Sequence, residues 1–567
     1  MKAALLPGWA MLLLLVFAGC ADETPRERDP APVAPRGYVR CGPHASGTFC
    51  DDTDRLGVRE ALRPRDPDGS MGSVTSADFD GDGRADLLVA YDDEDVAPRL
   101  WLNTAAGFVE RAEAWGLASR RSVKATASAD LDGDGDPDLL LRERETEGVQ
   151  LLRNTGERFE LVSTLGDRAE FTVLVPVDLD RDGMLDLTFG AEATPGDCPR
   201  MFINGCPAGV QAWRQVEPWR FERVAVEASP RRVLAMRWYD VDRDDRDELI
   251  VVADFGMLNG GNQVLRVEGA GASLTLREAP LPAGFNVEVF GMGIAPIDVD
   301  RDGRDELLIT NFGRNVLLRS HNDRWDDVAQ ALGADAYGIV SEGTPHRWSG
   351  FDPDHHWMGP MSDFQRRYLD QGNALTPTTK WTPLVFDFDL DGVDDAFIGA
   401  SAIGLSELFP EAAWQSGVML RGDGARLQDV TDAVRLGEGH GVAHPVAVDL
   451  DGDGDLDLAM PRTVYRDRGG GLAILRNDTA AGRSLWIEAR GLGAARDGIG
   501  ARVRVVVGGR TITRRLDGNL SIAGSGPHGV FVGLGATPRV ERVEVRFPSG
   551  AVRTVENVPP GRVVVSE

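Results

Sequence analysis

The sequence predicts an all-β chain: a seven-bladed β-propeller over residues 49–480, followed by a small C-terminal β domain over residues 483–567. Three observations lead there. A nine-residue acidic loop recurs seven times, a short apolar run of strand character follows each copy, and successive copies start 48 to 89 residues apart. Periods of that size belong to stacked supersecondary units. Each unit reads as a strand before the loop, a second after it and commonly two more around a turn. The first shows this as SVTSA, LLVA, RLWLN and FVERAEAWGL. Four strands per unit is the blade of a propeller.

The loop is clearest at Asp449 to Asp457, DLDGDGDLD. Acids stand at positions 1, 3, 5 and 9, and a glycine at 6 permits the positive φ that lets the position-7 carbonyl join them. In chain order the four acids are Asp78, Asp80, Asp82 and Asp86; Asp130, Asp132, Asp134 and Asp138; Asp178, Asp180, Asp182 and Asp186; Asp240, Asp242, Asp244 and Glu248; Asp298, Asp300, Asp302 and Glu306; Asp387, Asp389, Asp391 and Asp395; and Asp449, Asp451, Asp453 and Asp457. Alternate acids bend inward to one point, and an acid at 9 binding through both oxygens completes the six to eight hard oxygen ligands that Ca²⁺ takes. Mg²⁺ demands a tighter octahedron and fits less well. Solvated acidic turns are the plain alternative, since Asp and Gly favour turns. Four acids at fixed offsets in every copy argue against it, and up to seven Ca²⁺ are expected. The fourth loop departs most, with Asp245 where the others carry glycine. These are not EF-hands, whose bidentate acid stands at position 12 between helices. Position 12 here is apolar throughout, from Val89 to Met460.

The formal net charge is −29, which argues against a nucleic-acid partner. Seven loops of four acids supply much of it, so the charge is largely a metal-site property. Residues 1–19 carry one lysine and the apolar run MLLLLVFA, too short to span a membrane and typical of a secretory signal. The ending FAGC resembles a bacterial lipoprotein signal with Cys20 as the lipidated residue, the membrane being reached only through that lipid. Phe17 stands where leucine is usual, and an ordinary signal peptide is the alternative. Residues 20–48 begin with a Pro- and charge-rich tether. The remaining cysteines form two local pairs, Cys41/Cys50 and Cys198/Cys206, which an exported protein can keep as disulfides.

The seventh unit ends at GLAILRN without a fourth strand, and FCDDTDRLGV at Phe49 to Val58 matches the fourth-strand text of the first unit. The N-terminal segment therefore completes the last blade. From Arg483 onward, short strands divided by Gly and Pro indicate a separate small β domain.

These residues carry a resemblance. The loops resemble the FG-GAP/VCBS repeats of integrin α-chain propellers and of many secreted bacterial proteins. DGIGARV at Asp497 to Val503, GLG at Gly533 to Gly535 and FPSG at Phe547 to Gly550 resemble the ASPIC/UnbV domain, with Phe547 where tryptophan is usual. The pairing of both, preceded by GMGIAPIDVDRDGRDEL at Gly291 to Leu307, is similar to the cartilage acidic protein family and its bacterial relatives. The resemblance implies an extracellular calcium-binding propeller; the lipoprotein-like signal, with Ala21 after Cys20, adds the expectation of a lipid anchor at the cell surface or outer membrane. Adhesion follows from the integrin likeness by fold analogy alone.

No nucleophile elbow, HExxH, P-loop or dinucleotide fingerprint occurs. A non-enzymatic binding or adhesion module for an extracellular glycan or protein, acidic ligands among them, is the expected function. The alternative is an exported hydrolase or lyase whose site lies on the 340–375 insertion, with His346, Asp352, Asp354, His355 and His356. In a propeller the strand before each loop lies along the axis, so residues seven to nine positions before the first acid should ring the mouth opposite the loops. Arg121, Arg231, Arg232, Lys380, Trp381 and His440 are the expected ligand-binding residues there, suited to an acidic partner.

Overall fold

The computed structural model describes residues 38–41, 48–58, 71–194, 206–254, 256, 260–311, 314–322, 324–335, 379–401, 416–436, 441–465, 468–478, 482–492, 496–518 and 522–567. The signal, Cys20, most of the tether, Cys198, the insertion with its histidines and His440 lie outside them.

The first blade is Gly72–Ala77, Asp86–Tyr91, Arg99–Thr104 and Gly107–Glu110, paired antiparallel in that order. Among the described residues this four-stranded arrangement occurs seven times around an axis. Each innermost strand packs on that of the next blade, and the strand Val446–Val448 of the seventh returns to Gly72–Ala77 of the first. Phe49–Asp51 pairs with Leu472–Asn477 as the outermost strand of the seventh blade, Phe49 opposite Asn477. One chain end is thus laced to the last blade, and the Cys41–Cys50 disulfide sits beside that seam. Blades three and four are further joined by a parallel pairing of Ala225 to Glu227 with Thr275 to Arg277, which merges them into one eight-stranded sheet.

Small residues crowd the axis for a steric reason. Gly293, on the innermost strand Gly291–Ile297, lies so near the sixth blade that a Cβ would come within 2.6 Å of the Trp381 carbonyl oxygen. Second strands such as Asp86–Tyr91 and Glu248–Ala253 are buried along their whole length and read as unbroken apolar runs. The core lies between blades: Leu88, Leu100 and Leu102 of the first meet Leu139, Leu141 and Leu152 of the second, with Phe79 edge-on to Phe159. Burying apolar surface contributes about 25 cal/mol per Å² at each such interface.

The C-terminal domain stacks a three-stranded sheet (Val530–Gly535, Arg483–Arg490, Gly561–Ser566) on a four-stranded one (Arg510–Arg515, Arg502–Val507, Val540–Arg546, Val552–Val558). Leu485, Ile487, Val503, Val505, Val543, Val545 and Phe547 fill the space between them. Phe547 is fully buried, so the smaller ring is accommodated.

This domain is seated on the acidic-loop face of the propeller. Its segment 522–525 enters the central channel, where the inner strands expose backbone groups with no neighbour. Ala523 donates its N–H to the Thr172 carbonyl, Ser76 donates to the Ser525 carbonyl at 2.9 Å, and the Ser128 N–H reaches Ser525 Oγ. Ile522 and Ala523 are buried in the same cluster as Trp381 and Ala443. The channel is plugged from the loop side.

Candidate metal centres

The seven loops share one hydrogen-bond plan. In every copy the position-6 N–H donates to the first acid, as Gly83 does to Asp78 at 2.8 Å. The position-7 N–H donates to the acid at 5. The position-2 N–H donates to the acid at 9, as Phe79 does to Asp86 at 2.8 Å. Five of the position-9 aspartates use their second oxygen to accept an N–H from the third strand, Asn103 to Asp86 being one. Glu248 and Glu306 instead turn that oxygen to Arg266 and Arg319. The acid at 9 therefore ties loop to blade as well as facing the site.

Carboxylate oxygens converge accordingly. Asp78, Asp80 and Asp86 each bring one oxygen within 4.8 Å of the others, as do Asp130, Asp132 and Asp138; Asp178, Asp180 and Asp186; Asp240, Asp242 and Glu248; and Asp298, Asp300 and Asp302. Burial raises the acids at 9 despite their N–H donors: Asp86 to about 7, Asp138 and Asp186 to about 8, Asp395 to about 9. Asp180 Oδ1 and Asp298 Oδ1 are buried with no hydrogen-bond partner among the described residues. Buried carboxylates with an orphaned oxygen fit a hard divalent cation, and an all-oxygen donor set selects Ca²⁺ or Mg²⁺ over zinc.

Two features of the loops were missed in the sequence. Position 4 is left-handed in every copy, as Gly81, Gly133, Arg181, Arg243, Arg301, Leu390 and Gly452, though only some are glycine. Second, an arginine from the third strand covers the acids at 3 or 5: Arg153 on Asp132 and Asp134, Arg214 on Asp180, Arg266 on Asp242, Arg319 on Asp300, Arg421 on Asp389 and Asp391. The recurring LLRN, LLRS and MLRG were its signal.

The domain contacts explain the acids at position 8. Asp247, Asp305 and Asp394 occupy it in loops four, five and six, and each meets arginine from the C-terminal domain. Arg502 and Arg515 bind Asp247 at 2.7 and 2.8 Å, and Arg514 bridges Asp394 and Asp305. Asp245, at φ 68°, holds Arg502 at 3.0 Å, and the same guanidinium reaches Asp240. The odd residue of the fourth loop is a docking residue. The motifs DGIG and GLG dock too. Asp497 accepts the Asp130 N–H, and Gly533 lies against Asp387, where a Cβ would stand 1.7 Å from Oδ2.

Among the described residues, the ring of ligand-binding residues expected at the opposite mouth is not built; His440 lies outside them. Lys380, Trp381 and Arg232 are buried. The Trp381 indole N–H is spent on the Ser401 carbonyl, and Arg232 pairs with Glu192. Glu192 also faces Lys124, which binds Glu170 at 3.2 Å. Arg231 is half-buried against the Gly261 carbonyl, and exposed Arg121 folds back on the carbonyls of Ala118 and Arg120. Basic residues near the axis cannot be left without acids in a packed ring, and neighbouring blades supply them. Of the second cysteine pair, Cys206 is disulfide-bonded.

Residues 491–567 match the family described as ASPIC and UnbV, and residues 78–141 and 130–189 match the FG-GAP-like repeat. The chain joins FG-GAP-like repeats to an ASPIC and UnbV domain. No curated protein matches it significantly. Among solved structures, an Agrocybe aegerita lectin that recognises non-reducing terminal N-acetylglucosamine is 14% identical, covering 84% of this chain and 100% of its own at a TM-score of 0.38. The exotype rhamnogalacturonan lyase YesX is 11% identical, covering 78% and 76% at a TM-score of 0.36. A Photorhabdus luminescens Tc holotoxin pore is 13% identical, covering 74% and 18% at 0.30. Likenesses this loose carry no functional argument.

Proposed function

We propose that the protein is an exported, lipid-anchored module that displays a calcium-stabilised propeller to an extracellular glycan or protein, binding it without turnover. The observation that carries this is the sevenfold repetition of one acidic loop closed by a buried position-9 carboxylate, with the same N–H donated to that carboxylate in every blade. Bound Ca²⁺ would supply charge neutralisation among the acids and a fixed anchor for each turn. Positions 1, 3, 5 and 9 of each loop would hold it. The fourth loop brings Asp240, Asp242 and Glu248 together as other loops do, but there Arg502 competes with an ion for Asp240 while holding Asp245 and Asp247. An array of glycans and proteins probed with the whole chain in Ca²⁺ and in EDTA tests the reading. Specific capture that is lost in EDTA is expected, and capture unchanged in EDTA would contradict it.

A further inference from the structure

We infer that the cavity between the propeller and the C-terminal domain binds the acidic group of a carboxylated or sulfated saccharide, with Arg301 and Arg510 as its ligands. The inference rests on the proposed calcium-loaded binding module and places the ligand on its loop face. The cavity, about 260 Å³, is lined by inner-strand ends of blades four to six and by the C-terminal domain. Five arginines line it, and three are spent: Arg237 on Asp517, Arg514 on Asp394, Arg515 on Asp247. Arg301 and Arg510 differ. Arg510 donates to the Gly392 carbonyl at 2.9 Å and Arg301 to the adjacent Asp391 carbonyl at 3.4 Å. Neither has a carboxylate within ion-pair distance among the described residues.

Two guanidiniums held on consecutive carbonyls repel one another, and an anion between them relieves that repulsion with charge-assisted hydrogen bonds. Asp298 and Asp387, the first acids of loops five and six, line the same cavity. Calcium in those loops would cancel their charge and leave the arginines dominant. The rest of the wall suits a sugar ring. Tyr239 and Trp486 contribute aromatic surface beside the charged groups, and a concave interdomain cavity that combines aromatic walls with placed polar groups is a common form of small-ligand site. The indole of Trp486 lies so close to Gly529 that a Cβ there would come within 2.1 Å, which fixes the ring. Trp486, Pro527 and Phe531 are shared with a second cavity of about 970 Å³ over loops one and seven, leaving room for further sugar units.

The test is isothermal titration of the calcium-loaded full chain with D-glucuronate, sodium sulfate and D-glucose, at fixed free calcium and ionic strength. Glucuronate is expected to bind more tightly than sulfate, and glucose not to bind. Arg301→Gln with Arg510→Gln should weaken glucuronate at least tenfold. Trp486→Leu should weaken glucuronate and spare sulfate. Arg301 is exposed, so Arg301→Gln alone leaves the fold intact and should still cost part of the affinity. Unchanged glucuronate binding in the arginine variants, or none in the wild type, overturns the site. Equal affinity for sulfate and glucuronate overturns the saccharide. Calcium content measured on the same samples separates these results from a failure of the calcium reading itself.

Discussion

The guanidinium of Arg502, carried by the C-terminal domain, lies 3.1 Å from Oδ2 of Asp240, the first acid of the fourth loop. A cation supplied by the chain thus competes with an ion for the first acid of this loop, and Asp245, in place of glycine, engages the same guanidinium. Native mass spectrometry of the calcium-loaded protein should count six tightly held ions. Arg502→Ala should open the fourth loop and raise the count to seven. Seven ions in the wild type would remove the distinction between this loop and the rest.

The pH response of the metal-free protein has a definite sign. Burial raises Asp395 to about 9, Asp138 and Asp186 to about 8, and Asp86, Glu248 and Glu306 to about 7. Between the unfolded range near 4 and these values, the native state holds protons that the unfolded chain has released. Native stability in EDTA therefore falls as pH rises through that window. Calcium displaces the protons, so its stabilising increment should grow with pH. Melting curves at pH 5.5, 7 and 8.5 with and without Ca²⁺ check this, and an EDTA melting point that climbs with pH would refute it.

Gly533 has no room for a side chain, because Asp387 Oδ2 occupies the place of its Cβ. Gly533→Ala should push the C-terminal domain off the sixth loop, at about 1–3 kcal/mol of overpacking. A drop of a few degrees in Tm and faster proteolysis between the domains are expected. Gly508→Ala meets no neighbouring atom, though its positive φ carries a smaller strain of its own. Equal losses in the two would show that the contact is not tight.

If Cys20 carries lipid, Cys20→Ser should move the protein from the membrane fraction to the soluble exported fraction, with Tm unchanged. Equal partitioning of variant and wild type would favour an ordinary signal peptide.

The propeller was legible because its signal is local and repeated. Loop acids at fixed offsets, apolar second strands and turn text recur within each unit, so one blade teaches the others. The fourth strand of the seventh blade could be found at Phe49 only by matching it to the first unit. What the sequence hid were contacts between distant segments. Nothing in RRLDGNLSIAGSG marks residues 522–525 as a plug, because their partners are backbone groups of Thr126, Thr172 and Ser76. Asp247 and Asp394 read as extra acids of their loops until Arg502, Arg515 and Arg514 are placed above them. The expected basic mouth failed for the same reason. Arg232 and Lys124 can be read from the chain, but Glu192 and Glu170 face them only once adjacent blades meet.

The central claim is that calcium is structural in these loops, and thermal unfolding tests it most directly. At a hundred times its dissociation constant each bound ion adds about 2.7 kcal/mol, so several together rival a typical stability of about 5–15 kcal/mol. Scanning calorimetry of the full chain in EDTA should show a melting point lower by roughly 10 °C or more, restored by Ca²⁺ and only weakly by Mg²⁺. Superimposable curves in EDTA and in Ca²⁺ would contradict it.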